Sequence, residues 1–434
     1  MTAVTLAVFF NNFFKGQHKS MAWYKTQRMI GQMVKITSIG LLVLAMMSGA
    51  AKLAADEFTD TEKQARGQTV YFNAWGGDSK INDYIGWAGQ RLKADYDITL
   101  KHVKLTDTAS AVSRILAEKA AGRNDSGSID LIWVNGENFA AMKRAGLLPA
   151  SGWVTGLPNW RFTDAAALPA ILSDFAEPTD GKESPWGRAQ LVFAYDTARL
   201  PSPPRSAADL AAFIAANPGR FTFPQPPDFI GVSFLKQILI ELTAADPALY
   251  NPVDAADFDA VTAPLWAWLD TARPNLWRNG TAYPANYPVL RQLLGDGEID
   301  IAIAFNPADA SAAIARGELP DTVRTYIHDS GTLANVHFLA IPFNASAPAA
   351  GKVVANFMLS PAAQLQKADS RIWGDPTVLA VDRLPADLKA KFAALPRGPA
   401  TLSNADLGRT LAEPHPSWVP RLESAWARRY ATGG

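Results

Sequence analysis

Thr69-Val70-Tyr71-Phe72-Asn73-Ala74-Trp75-Gly76-Gly77-Asp78 is the stretch that decides how this chain is read. Thr69 to Asn73 is β-branched and aromatic, free of Gly and Pro, and predicts a strand. Gly76 and Gly77 allow positive φ and a close approach of backbone to another group. The apolar stripe Ile81, Tyr84, Ile85, Ala88 and Leu92 then predicts a helix, with Asp78 or Ser79 as its N-cap. A strand, a Gly-rich loop carrying an indole and a helix N-terminus thus follow one another. In an open α/β sheet, that place at the carboxyl end of a strand is where small ligands bind.

The arrangement repeats. Ile98 to Leu105 predicts a second strand, and Thr106 or Thr108 suits the cap of a helix with Val112, Ile115, Leu116 and Ala120 inward. Ile129 to Val134 is near-continuously apolar, as a buried parallel strand is. Asn135-Gly136-Glu137-Asn138 then opens a helix with Phe139 and Met142, closed by Gly146. Three strand–helix units predict a parallel, doubly wound sheet with all three post-strand loops on one edge.

Further along, the strand Gln190 to Tyr195 runs into Pro201-Ser202-Pro203-Pro204, a stiff connector. Beyond it a second set of elements is expected. A short strand, Arg220 to Phe223, leads through Pro224 to Gly231 into a helix with Leu235, Ile238, Leu239 and Leu242 inward. Ile299 to Phe305 is a strand ending in Asn306, matching the Asp-start, apolar run and Asn-end of Ile129 to Asn135. Asn335 to Phe343 is another strand, and a last helix carries Trp418, Leu422 and Trp426.

The 434 residues suffice for two domains, and 48% apolar content with 19% charge predicts a globular chain. Lys and Arg number 41, as do Asp and Glu. Residues 1–55 contain six of the basic residues and no acidic ones, so the body is mildly acidic, which gives no electrostatic reason to bind nucleic acid. The chain has no cysteine, hence no disulfide, thiol nucleophile or Cys-based metal site. Lys25, Arg28 and Lys35 precede the apolar run Ile36 to Met47, and small residues follow from Ser48. That is the layout of a cleaved secretory signal, too short for a comfortable membrane span, and the mature N-terminus is expected between Ala50 and Asp56.

The order of parts resembles the family 1 extracellular solute-binding proteins, the capture components of bacterial ABC importers. The resemblance rests on the exported leader, on the strand into Trp75-Gly76-Gly77, on Ala189 to Asp196 before the proline-rich connector, and on Phe357-Met358-Leu359-Ser360-Pro361-Ala362-Ala363-Gln364. It covers nearly all of residues 65–430. It implies a two-lobed α/β fold of the type II periplasmic-binding-protein kind, with mostly parallel sheets, helices on both faces and a hinge. Residues 1–55 would be extension and signal peptide. Residues 56–190 and 335–368 would form the first lobe, and 191–334 and 369–434 the second. The implied partners are a small-molecule ligand and, at the inner membrane, an ABC permease with its ATPase; the protein is expected in the periplasm as a monomer.

Candidate ligand contacts on the first lobe are Trp75, Gly76, Gly77, Asp78, Thr106, Asn135, Glu137 and Asn138. On the second they are Asp228, Phe229, Gly231, Ser233 and Asn306, where free N–H groups at a helix start favour polar or anionic groups. Trp186 and Trp373 lie in Gly- and Pro-rich loops near the presumed crossings and are candidates to stack on a ligand. For each, a cap or core role is the competing reading. No Gly-x-Ser-x-Gly elbow or Walker loop is present, and His18, His102, His328, His337 and His415 are scattered without metal-ligand spacing. No catalytic residue, metal or cofactor is therefore expected. The mixture of rings, carboxylates and amides suits a small organic cation or amine. A sugar or polyol, a phosphate-bearing ligand, or an exported enzyme on the same fold are the alternatives.

Overall fold

The computed structural model describes residues 58–134, 136–403 and 406–431. Contacts gather residues 60–434 into one compact unit, apart from residues 1–59. The signal-sequence reading of residues 1–55 lies outside the described residues, as does Asn135.

The opening stretch forms β1 (Thr69–Trp75), followed by α1 (Ser79–Tyr96), β2 (Thr99–Leu105), α2 (Thr108–Ala120), β3 (Leu131–Val134) and α3 (Glu137–Arg144). Strand β1 runs parallel to both β2 and β3. The strand–helix units therefore pair as the alternation predicts, and their loops share one edge. Asp78 caps α1, its Oδ1 accepting from the Lys80 amide at 2.8 Å. At α2 the cap is Asp107, which accepts from the Ala109 amide at 2.9 Å; neither neighbouring threonine holds that place. A carboxylate accepts more strongly from the first-turn amides and suits the positive end of the helix dipole.

Later segments complete this sheet. β4 (Glu183–Gln190) crosses into β5 (Val192–Asp196), and α4 (Phe229–Leu242), α5 (Tyr287–Gly295), β6 (Ile301–Ala304) and β7 (Val323–Tyr326) follow. β8 (Thr332–Ala340), α6 (Pro361–Ala368), β9 (Thr410–Leu411) and α7 (Trp418–Tyr430) come after them. Among the described residues the first sheet has six strands in the order β9-β8-β3-β1-β2, with β4 also on β8. β8 runs antiparallel to β3 and β4. The second sheet, β6-β5-β7, is antiparallel in both ladders, where a mostly parallel sheet was expected. Its parallel pairing is a bridge from Phe221 to Ile301.

Each sheet has its own apolar core. Ile132, Val134, Phe139, Met142 and Phe338 belong to the first, and Phe193, Phe234, Leu239, Ile303 and Trp426 to the second. The chain passes between cores where Gln190 of β4 gives way to Val192 of β5, and within β8 between Leu333 and Val336. The Leu191 amide donates to Leu333 O at 2.8 Å, so the two passages lie side by side. Val378, Leu379 and Leu384 pack in the first core, although the sequence reading grouped residues 369–434 with the second lobe. They share that cluster with Ile132, Val134, Phe139 and Met142.

Candidate ligand-binding site

The post-strand loops of the first sheet meet residues of the second across a cavity of about 930 Å³. Trp75, Gly76, Gly77, Asp78 and Thr106 line it, with Glu137 and Asn138 from the start of α3. Asp228, Phe229 and Asn306 face them from the other side, and Trp373 closes part of the wall. These eleven positions are the sequence-predicted ones that the fold brings together.

The two glycines have different reasons. A Cβ on Gly77 would fall 2.3 Å from Cζ2 of Trp75, so the indole folds back over the loop only because position 77 has no side chain. A Cβ on Gly76 would meet Lys104 at 2.6 Å, where β1 and its loop lie against β2. Asp78, besides capping α1, presents Oδ2 to Arg291 of α5 at 3.8 Å. Arg291 also pairs with Asp309 at 3.0 Å and Glu318 at 3.2 Å, and the Tyr287 hydroxyl donates to Asp309. Burial raises the pKa of Asp309, which Arg291 opposes.

On the far wall Asp228 caps α4, accepting from the Ile230 and Gly231 amides at 2.9 and 3.3 Å. Burial pushes its carboxyl up. Phe229 meets Phe305 edge-on at 5.0 Å between centroids. Asn306 turns its Oδ1 to the Ala308 amide at 3.0 Å, which leaves its amide nitrogen for other partners.

Three predicted contacts do not reach the cavity. Trp186 is fully buried against Phe72, Trp133, Trp373 and His337, behind the wall. Gln364 of the Ser-Pro-x-x-Gln segment donates to its carbonyl at 2.8 Å, which pins the indole in the core. Gly231 is where α4 starts against the Pro-rich loop; an added Cβ would lie 2.1 Å from Pro224 O. Ser233 is fully buried on α4.

Other lining residues escaped sequence reading. Trp133, Phe175, Phe305, Tyr287 and His337 add rings. The wall also has Lys236, Asp375 and Glu423. Lys236 had a signal, a charge set among Phe234, Leu235, Ile238 and Leu239 of α4. Its ammonium is 2.6 Å from Glu413 Oε2 and 4.4 Å from the Phe175 ring centroid. Glu413 Oε1 accepts from Asn335 Nδ2 at 3.1 Å. In the floor, His337 Nε2 lies 3.0 Å from Asp375 Oδ2, which Lys367 also pairs with. Burial works to raise Asp375, but His337 and Lys367 outweigh it and hold the carboxyl below the ordinary carboxylate range. A Cβ on Gly187 would strike both His337 and Asp375, so β4 carries glycine where this pair sits.

Residues 87–395 match the family described as bacterial extracellular solute-binding protein. The chain is 48% identical over 378 residues to Protein YnjB of Escherichia coli (strain K12), covering 87% of this chain and 95% of the relative. The chain belongs to the bacterial extracellular solute-binding proteins. Family and neighbours alike are binding proteins rather than enzymes. The fold of this solute-binding protein is similar to that of the periplasmic binding protein AfuA from Actinobacillus pleuropneumoniae, solved with fructose-6-phosphate. The TM-score is 0.57 at 14% identity, covering 84% of this chain and 99% of that one. It is also similar to the spermidine/putrescine substrate-binding protein PotD from Streptococcus pneumoniae, with TM-score 0.58, 15% identity and coverage of 84% and 98%. At such identity the likeness concerns the fold. Among the described residues of this solute-binding protein no helix is long and apolar enough to cross a membrane.

Proposed function

We propose that this protein captures a small, positively charged organic solute in the periplasm and delivers it to the permease of an ABC importer. Residues 56–190 and 335–368 act as one lobe, joined by the segment around 378–384, and the remainder of 191–434 acts as the other. The hinge is then Gln190–Val192 together with Leu333–Val336, where backbone passes between cores, and closure is a rigid-body motion about it. The protein works as a monomer, without nucleic acid, a metal or a cofactor. Residues 1–55 serve as extension and cleaved export signal.

One observation carries this reading: a cavity of solute size is bounded by loops from both sheets and lined by rings beside carboxylates. Trp75, Gly76, Gly77, Asp78, Thr106, Glu137, Asn138, Asp228, Phe229, Asn306 and Trp373 are the proposed contacts. Aromatic faces and carboxylates together favour a cation. The amides of Asn138, Asn306 and Asn335 beside the indoles support a sugar or polyol as the second reading. A thermal-shift screen over amines, vitamins, sugars and sugar phosphates tests both. A true ligand raises Tm in proportion to the logarithm of its concentration and emerges unaltered. Turnover of the ligand, or no shift with any class, would count against capture.

A further inference from the structure

Two carboxylates enter the cavity from opposite sides. Glu137 opens α3, beside Phe139 and Met142 of the first core. Glu423 stands on α7, next to Leu422 of the second core. Both line the cavity. Burial raises both, and for Glu423 the next causes are the charges of Glu137 and Asp107, which bring it to about 7. Asp107 caps α2 on the same wall.

The cation that bears on both carboxyls is already committed. Lys236 of α4 is paired with Glu413, and Asn335 holds the other oxygen of that carboxylate. Behind Glu137, the buried Asp174 accepts from the Gly136 amide at 2.6 Å and its Oδ1 has no partner. Of the other cations in the lining, Lys80 donates to the carbonyls of Ser370 and Arg371, Arg316 pairs with Glu318 at 2.6 Å and Lys104 lies against Gly76. Asp107 is exposed, which leaves Glu137 and Glu423 as the half-buried carboxyl pair of a ring-lined cavity. Like charges in a poorly solvated space cannot all ionise, and one site keeps a proton.

We propose that a positively charged nitrogen of the solute lodges between Glu137 and Glu423, drawing the two sides of the cavity together, and that its arrival expels one proton from this pair. This rests on the capture reading above and deepens it. The exchange balances: a protonated carboxyl releases H⁺ to solvent, and the resulting carboxylate pairs with the incoming ammonium. Before the cation arrives the pair keeps one proton and draws neither side toward the other. Afterwards the same groups act as a clasp.

The test is calorimetric titration of the purified protein with spermidine and with putrescine between pH 5.5 and 7.5, in two buffers of different ionisation enthalpy. The apparent Kd is expected to fall by up to about tenfold per pH unit below about 7 and then level off. The measured heat should change with the buffer, as release of up to one proton requires. Glu423→Gln should weaken binding and abolish both the pH dependence and the buffer dependence. Without ligand, the same variant should melt higher than wild type at pH 8 and alike at pH 4, which shows that it folds. Equal affinity across this range, a buffer-independent heat, or a pH dependence kept in Glu423→Gln would overturn the proposal. So would absence of binding by both amines; if a sugar or sugar phosphate still raised Tm, the capture reading would stand without it.

Discussion

The indole of Trp75 lies where a side chain on Gly77 would be, 2.3 Å from a Cβ built there. The ring is half-buried at the cavity edge, and the residue it covers is exposed. The loop thus presents an aromatic face whose angle depends on an absent methyl group two positions later.

Gly77→Ala should therefore push the indole off its seat and weaken ligand binding about as much as Trp75→Ala, by roughly tenfold or more. Tm without ligand should change little, because the position is exposed. Equal affinity of Gly77→Ala and wild type for a ligand found by thermal shift would refute this.

Lys236 and Glu413 form an ion pair with almost no exposure. Lys236→Met alone leaves Glu413 charged in the interior and should cost about 3–5 kcal/mol in urea unfolding. Lys236→Met with Glu413→Gln should recover most of that loss, since neither partner is then left uncompensated. A single variant as stable as wild type would mean that water reaches the pair.

Asp375 gives a stability term with a definite pH window. Its folded pKa is depressed by His337 and Lys367, so the stabilisation is complete above the ordinary carboxylate value and is lost as pH falls through the folded one. Asp375→Asn should lower Tm strongly at pH 7, leaving Lys367 buried and unpaired. The gap should narrow under acid, below about pH 4. Melting curves of both proteins from pH 3 to pH 7 measure it.

Glu183 has the opposite sign. Both its oxygens are buried without a partner, and burial followed by the charge of Asp174 raises its pKa well above normal. The folded state then holds a proton that the unfolded chain releases near pH 4.5, so stability declines as pH rises beyond that value. Glu183→Gln should raise Tm at pH 8 and leave it unchanged at pH 4. A variant that melts lower at both would show that the carboxylate has a partner.

Much was legible because it is local. The β-branched run of β1, the apolar stripe of α1 and the Asp78 cap are set by neighbours within a few residues, and they form as their side-chain chemistry dictates. Alternation of strands and helices was enough for the paired parallel strands of the first sheet, and hence for one edge crowded with loops. The Trp75-Gly76-Gly77-Asp78 loop, Glu137, Asp228 and Asn306 follow from being at the ends of elements.

What stayed hidden depends on long-range contact. Lys236 meets Glu413, His337 meets Asp375, and Glu137 and Glu423 come to line one cavity only because separate elements converge, and no spacing in the chain marks such pairs. Trp186 shows the converse: its Gly- and Pro-rich setting left a ligand-stacking ring and a core ring both open, and the packing of β4 on β8 buried it. Local propensity decided which elements exist. The partners of a buried charge, and which side of a wall a tryptophan faces, were settled by the tertiary structure, since desolvation and packing act on whatever folding brings close.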